Sequence, residues 1–136
     1  MRAIVKAAPR PGEHLVTDAA EPVADDGEVV VRVSATSICG ADHHLYHWDA
    51  MGQGLGPTLP LILGHETAGT VVSVGRAVAS FRVGDRVAAE SHLACGRCYA
   101  CRTSAPHLCE NMRILGITWD GAFAELVKIP EGRSGK

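Results

Sequence analysis

Four of the chain's five cysteines fall in one short stretch, CGRCYACRTSAPHLC, with the spacing C-x2-C-x2-C-x7-C over Cys95, Cys98, Cys101 and Cys109. Short C-x2-C steps let a tight turn aim neighbouring thiolates at one point. Four soft donors complete a tetrahedral zinc at roughly 2.3 Å each. Gly96 is suited to making that turn. A metal held by four cysteines has no position left for water or a small molecule, so it is structural and holds together a lobe that lacks a core of its own. Two disulfides, a redox C-x-x-C pair or a four-iron cluster draw on the same residue type. Zinc is favoured because the expected compartment keeps thiols reduced, four thiols close a metal site, and no thioredoxin-like βαβ pattern surrounds them.

The rest of the chain must supply the core. Only 4% of the 136 residues are aromatic while 46% are hydrophobic, so the interior rests on Val, Leu, Ile and Ala, which suits a barrel or sandwich of short strands. RAIVKAA reads as an opening strand, EVVVRVSATSIC as the clearest strand, TVVSV as a strand between Gly69 and Gly75, RVGDRVAAE as a Gly-Asp turn with a strand, and GAFAELVKIP as the last strand. GADHHLYHW fits a short helix with Asp42 near its N-cap, and DAMGQGLGPTLP fits a loop because Gly and Pro recur in it. The expected class is mainly β with short helices, rolled into a partly open structure, as one domain over residues 1–136.

Charge narrows the partners. With 13 basic and 15 acidic residues dispersed along the chain, the net charge of −2 gives no footprint for nucleic acid or an anionic membrane, and no apolar run approaches a membrane span. A small molecule or ion is the expected partner and the cytoplasm the expected compartment. Gly135-Lys136 superficially resembles the end of a phosphate loop, but the first glycine of that motif falls on Pro130, and the reading is rejected. GQGLG lacks the G-x-G-x-x-G spacing, so the sequence carries no dinucleotide fingerprint.

Cys39 stands apart in ICGADHHLYHW, and His65 and Glu66 follow in LGHETAG. A Cys/His/carboxylate set suits a catalytic zinc with an open position, although on spacing alone a single cysteine is more often a small buried hydrophobe. Adjacent residues of a regular strand point to opposite faces, so His65 and Glu66 approach one metal only if the chain bends there, and Gly64 permits that bend.

The ordered motifs ICGAD, GHETAG, GDRV, CGRCYACRTSAPHLCEN and GAFAE resemble those of the zinc-dependent medium-chain alcohol dehydrogenases, in their GroES-like catalytic half, and CGADHHLYHWD with AESHLACGRC resembles the threonine dehydrogenase branch. The resemblance implies a partly open GroES-like barrel with a cysteine-rich zinc lobe. It implies that Cys39 and His65 bind a catalytic zinc with Glu66 beside or on it. Asp42 then orients the zinc histidine, His44 belongs to a proton relay, His92 lies near the substrate, and Cys95, Cys98, Cys101 and Cys109 hold the structural zinc. The implied reaction oxidises a secondary alcohol, L-threonine to 2-amino-3-ketobutyrate, with polyols or simple secondary alcohols as alternatives and a non-catalytic zinc module as another class. NAD(P) and a Rossmann domain belong to the full-length, homo-oligomeric enzyme, so the 136 residues alone are expected to be inactive with an incomplete catalytic metal site. His43 and His47 read as exposed or hydrogen-bonded side chains, Tyr46 and Trp48 equally as packing or substrate contacts, and Asp49 as a turn residue. One departure concerns chemistry: where the family places a Thr or Ser two residues after the zinc cysteine, this chain has Ala41, which can neither accept nor pass a proton, and an ordered water is expected in its place.

Overall fold

The computed structural model describes residues 1–131, and the rejected phosphate-loop segment at Gly135-Lys136 lies outside the described residues. The strands are β1 (Ala3–Lys6), β2 (His14–Val16), β3 (Glu28–Ser37), β4 (Leu61–Ile62), β5 (Glu66–Val74), β6 (Arg86–Ala88), β7 (His92–Leu93), β8 (Arg113–Ile114) and β9 (Leu126–Pro130). They are joined by three short helices, α1 (Gly40–His47), α2 (Ala50–Gly54) and α3 (Tyr99–Arg102), and by a 3-10 turn at Pro106–Leu108. The fold is mainly β, in sheets ordered β2-β1-β4, β6-β5-β3-β9 and β7-β8 that do not close into a barrel.

The valine-rich run becomes β3 because a strand paired on both edges, by β5 and β9, can bury side chains on both faces. Val29, Val30 and Val31 are all nearly inaccessible. Val29 and Val31 join Val71, Leu115, Ala122, Val127 and Ile129 in the main core, where each fully buried Val or Leu contributes roughly 1.5–3 kcal/mol. Leu45, Leu61, Leu63 and Ile117 form a second cluster, which seats α1 beside the chain entering β5. Slips in the β3–β5 register between Val30 and Val31 and between Val33 and Ala35 end with Ser37 opposite Glu66, so the end of β3 and the start of β5 meet next to Cys39.

Two sequence expectations need correction, and a third is sharpened. Residues 50–54 are helical rather than loop, because the Asp49 carboxylate caps α2 by accepting the Gly52 N–H at 3.0 Å and Gly52 packs flat on the His44 carbonyl, where a Cβ would collide. β5 begins at Glu66 and runs through Gly69, since its ladder with β3 starts at the Ser37 pair. Asp42 lies near the N-cap of α1 as expected, and the N-cap residue itself is Cys39. Asp42 sits at the third helical position, where its Oδ2 accepts the Cys39 N–H at 2.9 Å and its charge suits the positive helix terminus.

The other end of α1 rests on a buried lysine. Lys6 Nζ donates to the carbonyls of Arg10 at 2.7 Å, Gly12 at 3.1 Å and Tyr46 at 3.3 Å, and lies 5.2 Å from the Trp48 ring centroid. Burial lowers the Lys6 pKa, and Glu13 opposes that shift. These bonds satisfy a helix-end carbonyl and tie α1 to the first sheet, so both ends of the helix that carries Cys39 and His44 are fixed.

Candidate metal centres

The four clustered cysteines converge. Their sulfurs lie within 4.8 Å of one another, with Cys98 Sγ 3.5 Å from Cys101 Sγ and 3.9 Å from Cys109 Sγ, and all four thiols are free. A zinc–sulfur tetrahedron with ~2.3 Å bonds has edges of roughly 3.8 Å, whereas a disulfide needs about 2.05 Å, so the spacing suits a tetrathiolate metal and not a pair of bridges. Gly96 takes the left-handed φ of 70° at the tight turn between the first two thiols. Between Cys95 and Cys109 the only buried residue is Cys109 itself, so the lobe has no apolar interior to hold it.

Backbone amides prepare the site for cations. The N–H groups of Arg97 and then Cys98 pull the Cys95 thiol down to about 6, and those of Cys101 and Glu110 lower Cys98. Burial, followed by the Cys98 thiol, pushes Cys101 up to about 12. A zinc bound here at neutral pH would displace the Cys101 proton. Protons compete with metal for thiolates, and the lowered Cys95 and Cys98 pKa values weaken that competition, so the lobe should retain zinc at pH 7 and release it on acidification. A chromogenic zinc indicator follows the release. Loss of metal already above pH 7 would mean that the amide donors do not hold the thiolates.

The second centre is assembled from separate elements. Cys39 Sγ, a His65 ring nitrogen and a Glu66 carboxylate oxygen lie within 4.8 Å of one another. His65 comes into reach of both neighbours because Gly64 adopts φ 91° and turns the chain before β5. The turn is clamped by Gly121, Ala122 and Phe123, whose N–H groups donate to the carbonyls of Ile62, Gly64 and Leu63 at 2.8, 2.9 and 2.8 Å. A Cβ on Gly64 would run into the Phe123 ring.

His65 and Asp42 are 7% and 3% exposed, and His65 Nδ1 and Asp42 Oδ1 face each other at 3.6 Å with no hydrogen-bond partner for either atom. Two unpaired buried polar atoms are costly. They make sense when His65 uses its other nitrogen on a cation, which draws its Nδ1–H towards the carboxylate. The donor set of one thiol, one imidazole and one carboxylate fits zinc. Glu66 is held on its other side: Ser37 Oγ donates to its Oε2, and Thr36 Oγ1 donates to its carbonyl at 2.8 Å.

His44 lies five residues along α1 from Cys39, outside the donor set, with Nδ1 2.7 Å from Asp49 Oδ2. Its neighbour His43 stacks obliquely on His47 at 4.4 Å, and Trp48 ends the helix with φ 55°. His92 is on β7, where its ring lies 2.9 Å from Ser91 Oγ, and it lines an open groove with Cys95 and Cys101 rather than joining Cys39 and His65. Sequence reasoning missed Ser37, which only the β3–β5 register brings to Glu66. It also underrated Asp49, whose D-x-x-G pattern ahead of Gly52 was a readable capping signal.

A β-rich domain with a four-cysteine lobe and a separate thiol–imidazole–carboxylate cluster is the class that fold and site define. The chain belongs to the alcohol dehydrogenase GroES-like domain family, whose description matches residues 25–135. It is 46% identical over 132 residues to an L-threonine 3-dehydrogenase from Caldanaerobacter subterraneus subsp. tengcongensis and 48% identical over 131 residues to one from Symbiobacterium thermophilum. Each match covers 96% of this chain, and the chain spans 37% of the length of these curated relatives. The alcohol dehydrogenase of Aeropyrum pernix superposes with a TM-score of 0.84 at 28% identity, over 96% of this chain and 38% of that one. Among the described residues no helix is long and apolar enough to cross a membrane.

Proposed function

We propose that residues 1–136 are the N-terminal catalytic-domain portion of a zinc-dependent NAD(P) dehydrogenase that oxidises a secondary alcohol, L-threonine being the favoured substrate. The observation that carries this reading is the convergence of Cys39, His65 and Glu66 with Asp42 behind the histidine. The threonine assignment is supported by the names of the relatives at 46% and 48% identity. Cys39, His65 and Glu66 are the residues for a catalytic zinc, and Cys95, Cys98, Cys101 and Cys109 those for a structural one.

Bound zinc makes an alcohol hydroxyl more acidic and NAD(P) accepts hydride. The chain's own residues position the site and move the proton. Asp42 fixes the His65 ring, and Ser37 restrains the Glu66 carboxylate so that it faces the thiol and imidazole. His44, five residues along α1 from Cys39, is the candidate proton acceptor at the edge of the site, with water taking the place of the hydroxyl that Ala41 lacks. For threonine, the ammonium and carboxylate need partners, and Glu66 and His92 are the candidates within this domain. A nucleotide-binding domain in the same longer polypeptide supplies the coenzyme site, so the 136 residues alone are not expected to turn over.

Ala41 favours one second reading, a zinc module without catalysis. Metal counting and activity separate the two. A polypeptide that joins this domain to a nucleotide-binding domain should carry two zinc ions and reduce NAD(P) with L-threonine in preference to sorbitol, 2,3-butanediol or simple alcohols. Cys39→Ser should lose one zinc and all turnover while the lobe keeps its metal. One zinc in the wild type with no turnover would establish the structural reading, and preference for a polyol would remove threonine alone.

A further inference from the structure

Asp49 divides its two carboxylate oxygens between two jobs. Oδ1 accepts the Gly52 N–H at 3.0 Å and starts α2, while Oδ2 lies 2.7 Å from His44 Nδ1 on α1. The two helices cannot drift apart at this point: Gly52 packs directly on the His44 carbonyl, and Gln53 Nε2 donates to the Trp48 carbonyl at 2.8 Å across the junction. The carboxylate is therefore held by its cap while its second oxygen faces the imidazole. An ionised carboxylate can only accept, so the proton between the two groups sits on Nδ1. The Gly52 N–H first and His44 second keep the Asp49 carboxyl below its ordinary range, which favours the ionised form. The other ring near His44 is His43, edge-on at 6.1 Å.

We propose that Asp49 is a positioning residue for His44, fixing the imidazole as its Nδ1–H tautomer and leaving the Nε2 lone pair as the proton acceptor. In that state Nε2 takes the proton released by the substrate hydroxyl, the imidazolium stands beside the Asp49 carboxylate, and Nε2 later returns the proton to bulk water. Only the catalytic use of Nε2 rests on the proposed function; the tautomer rests on the geometry of α1 and α2. Free neutral imidazole in histidine prefers Nε2–H, so the preference in this protein is reversed.

Long-range 1H–15N correlation spectra of the His44 ring at a pH where it is neutral test this in the 136-residue chain. The expected wild-type spectrum has a protonated Nδ1 and an Nε2 with the shift of an unprotonated nitrogen. Asp49→Ser keeps a good helix cap for Gly52 but cannot reach His44. It should exchange the two shifts, with the Gly52 amide still protected. Asp49→Asn also caps well and guards against a variant that loses α2, and its uncharged amide should give a mixed tautomer. A wild-type His44 already protonated on Nε2, or an Asp49→Ser spectrum unchanged from wild type, overturns the proposal. In the longer polypeptide with its nucleotide-binding domain, Asp49→Ser should lower kcat with KM unchanged, by part of the roughly 10²–10⁴-fold that a positioned acid–base group supplies. If the tautomer exchanges but kcat does not fall, Asp49 still positions His44, and the assignment of His44 to the proton route fails instead.

Discussion

Cys101→Ser is expected to abolish tight zinc binding at the lobe and to unfold residues 95–109 while leaving the β-sheets intact. A structural zinc contributes an apparent ~10–16 kcal/mol to the folding of a small metal-dependent unit. Here nothing else replaces it, because Cys109 is the one buried residue in the segment. The sheets have their own core around Val31, Val71 and Val127, which does not draw on the cysteines for its apolar contacts. Elemental analysis should show one zinc fewer per chain, and limited proteolysis should cut within the lobe while β3, β5 and β9 stay protected. An unchanged zinc content, or iron in place of zinc, would sink the assignment; cooperative loss of the whole fold would show that the lobe supports the sheets.

Restoring a hydroxyl at residue 41 should speed proton release in a polypeptide that joins this domain to a nucleotide-binding domain. Ala41 and His44 are three residues apart on α1, a spacing that places their side chains side by side on one helix face. Ala41→Thr would therefore put a proton carrier next to His44, with a gain bounded by roughly 10²–10⁴-fold. In a His44→Ala background the gain should shrink, since the new hydroxyl would lack its onward acceptor. Pre-steady-state proton release across the double-mutant cycle gives the coupling. Equal gains with and without His44 would mean that the two positions do not share a route.

The two candidate metal centres differ in how far the sequence exposes them. Cys95, Cys98, Cys101 and Cys109 are close in the chain, so their spacing alone announces a common point, and the turn at Gly96 closes as its residue type suggests. Cys39 and His65 meet only because β3 and β5 pair with Ser37 opposite Glu66 and because Gly64 bends against Phe123. Residue types made that set conceivable, and family resemblance made it specific. The α2 helix was hidden for a related reason: Gly52 and Gly54 weaken any local helical signal, and what stabilises the segment is the Asp49 cap and the close packing of Gly52 on α1.

What the sequence determined by itself is therefore local: the valine-rich strands, the helix after Cys39, the clustering of four cysteines in one lobe and the missing hydroxyl at Ala41. Each depends on residue type and short spacing, which the chain carries wherever it folds. Tertiary structure alone decided which distant groups touch. It set Asp42 against His65, tied Glu66 to Ser37, and turned Asp49 from a turn residue into the partner of His44. The physical reason is register: a one-residue slip of β3 against β5 would carry Ser37 away from Glu66 without changing the hydrophobic composition of either strand, so only the packed sheet and its bulges select the pairing that builds the site.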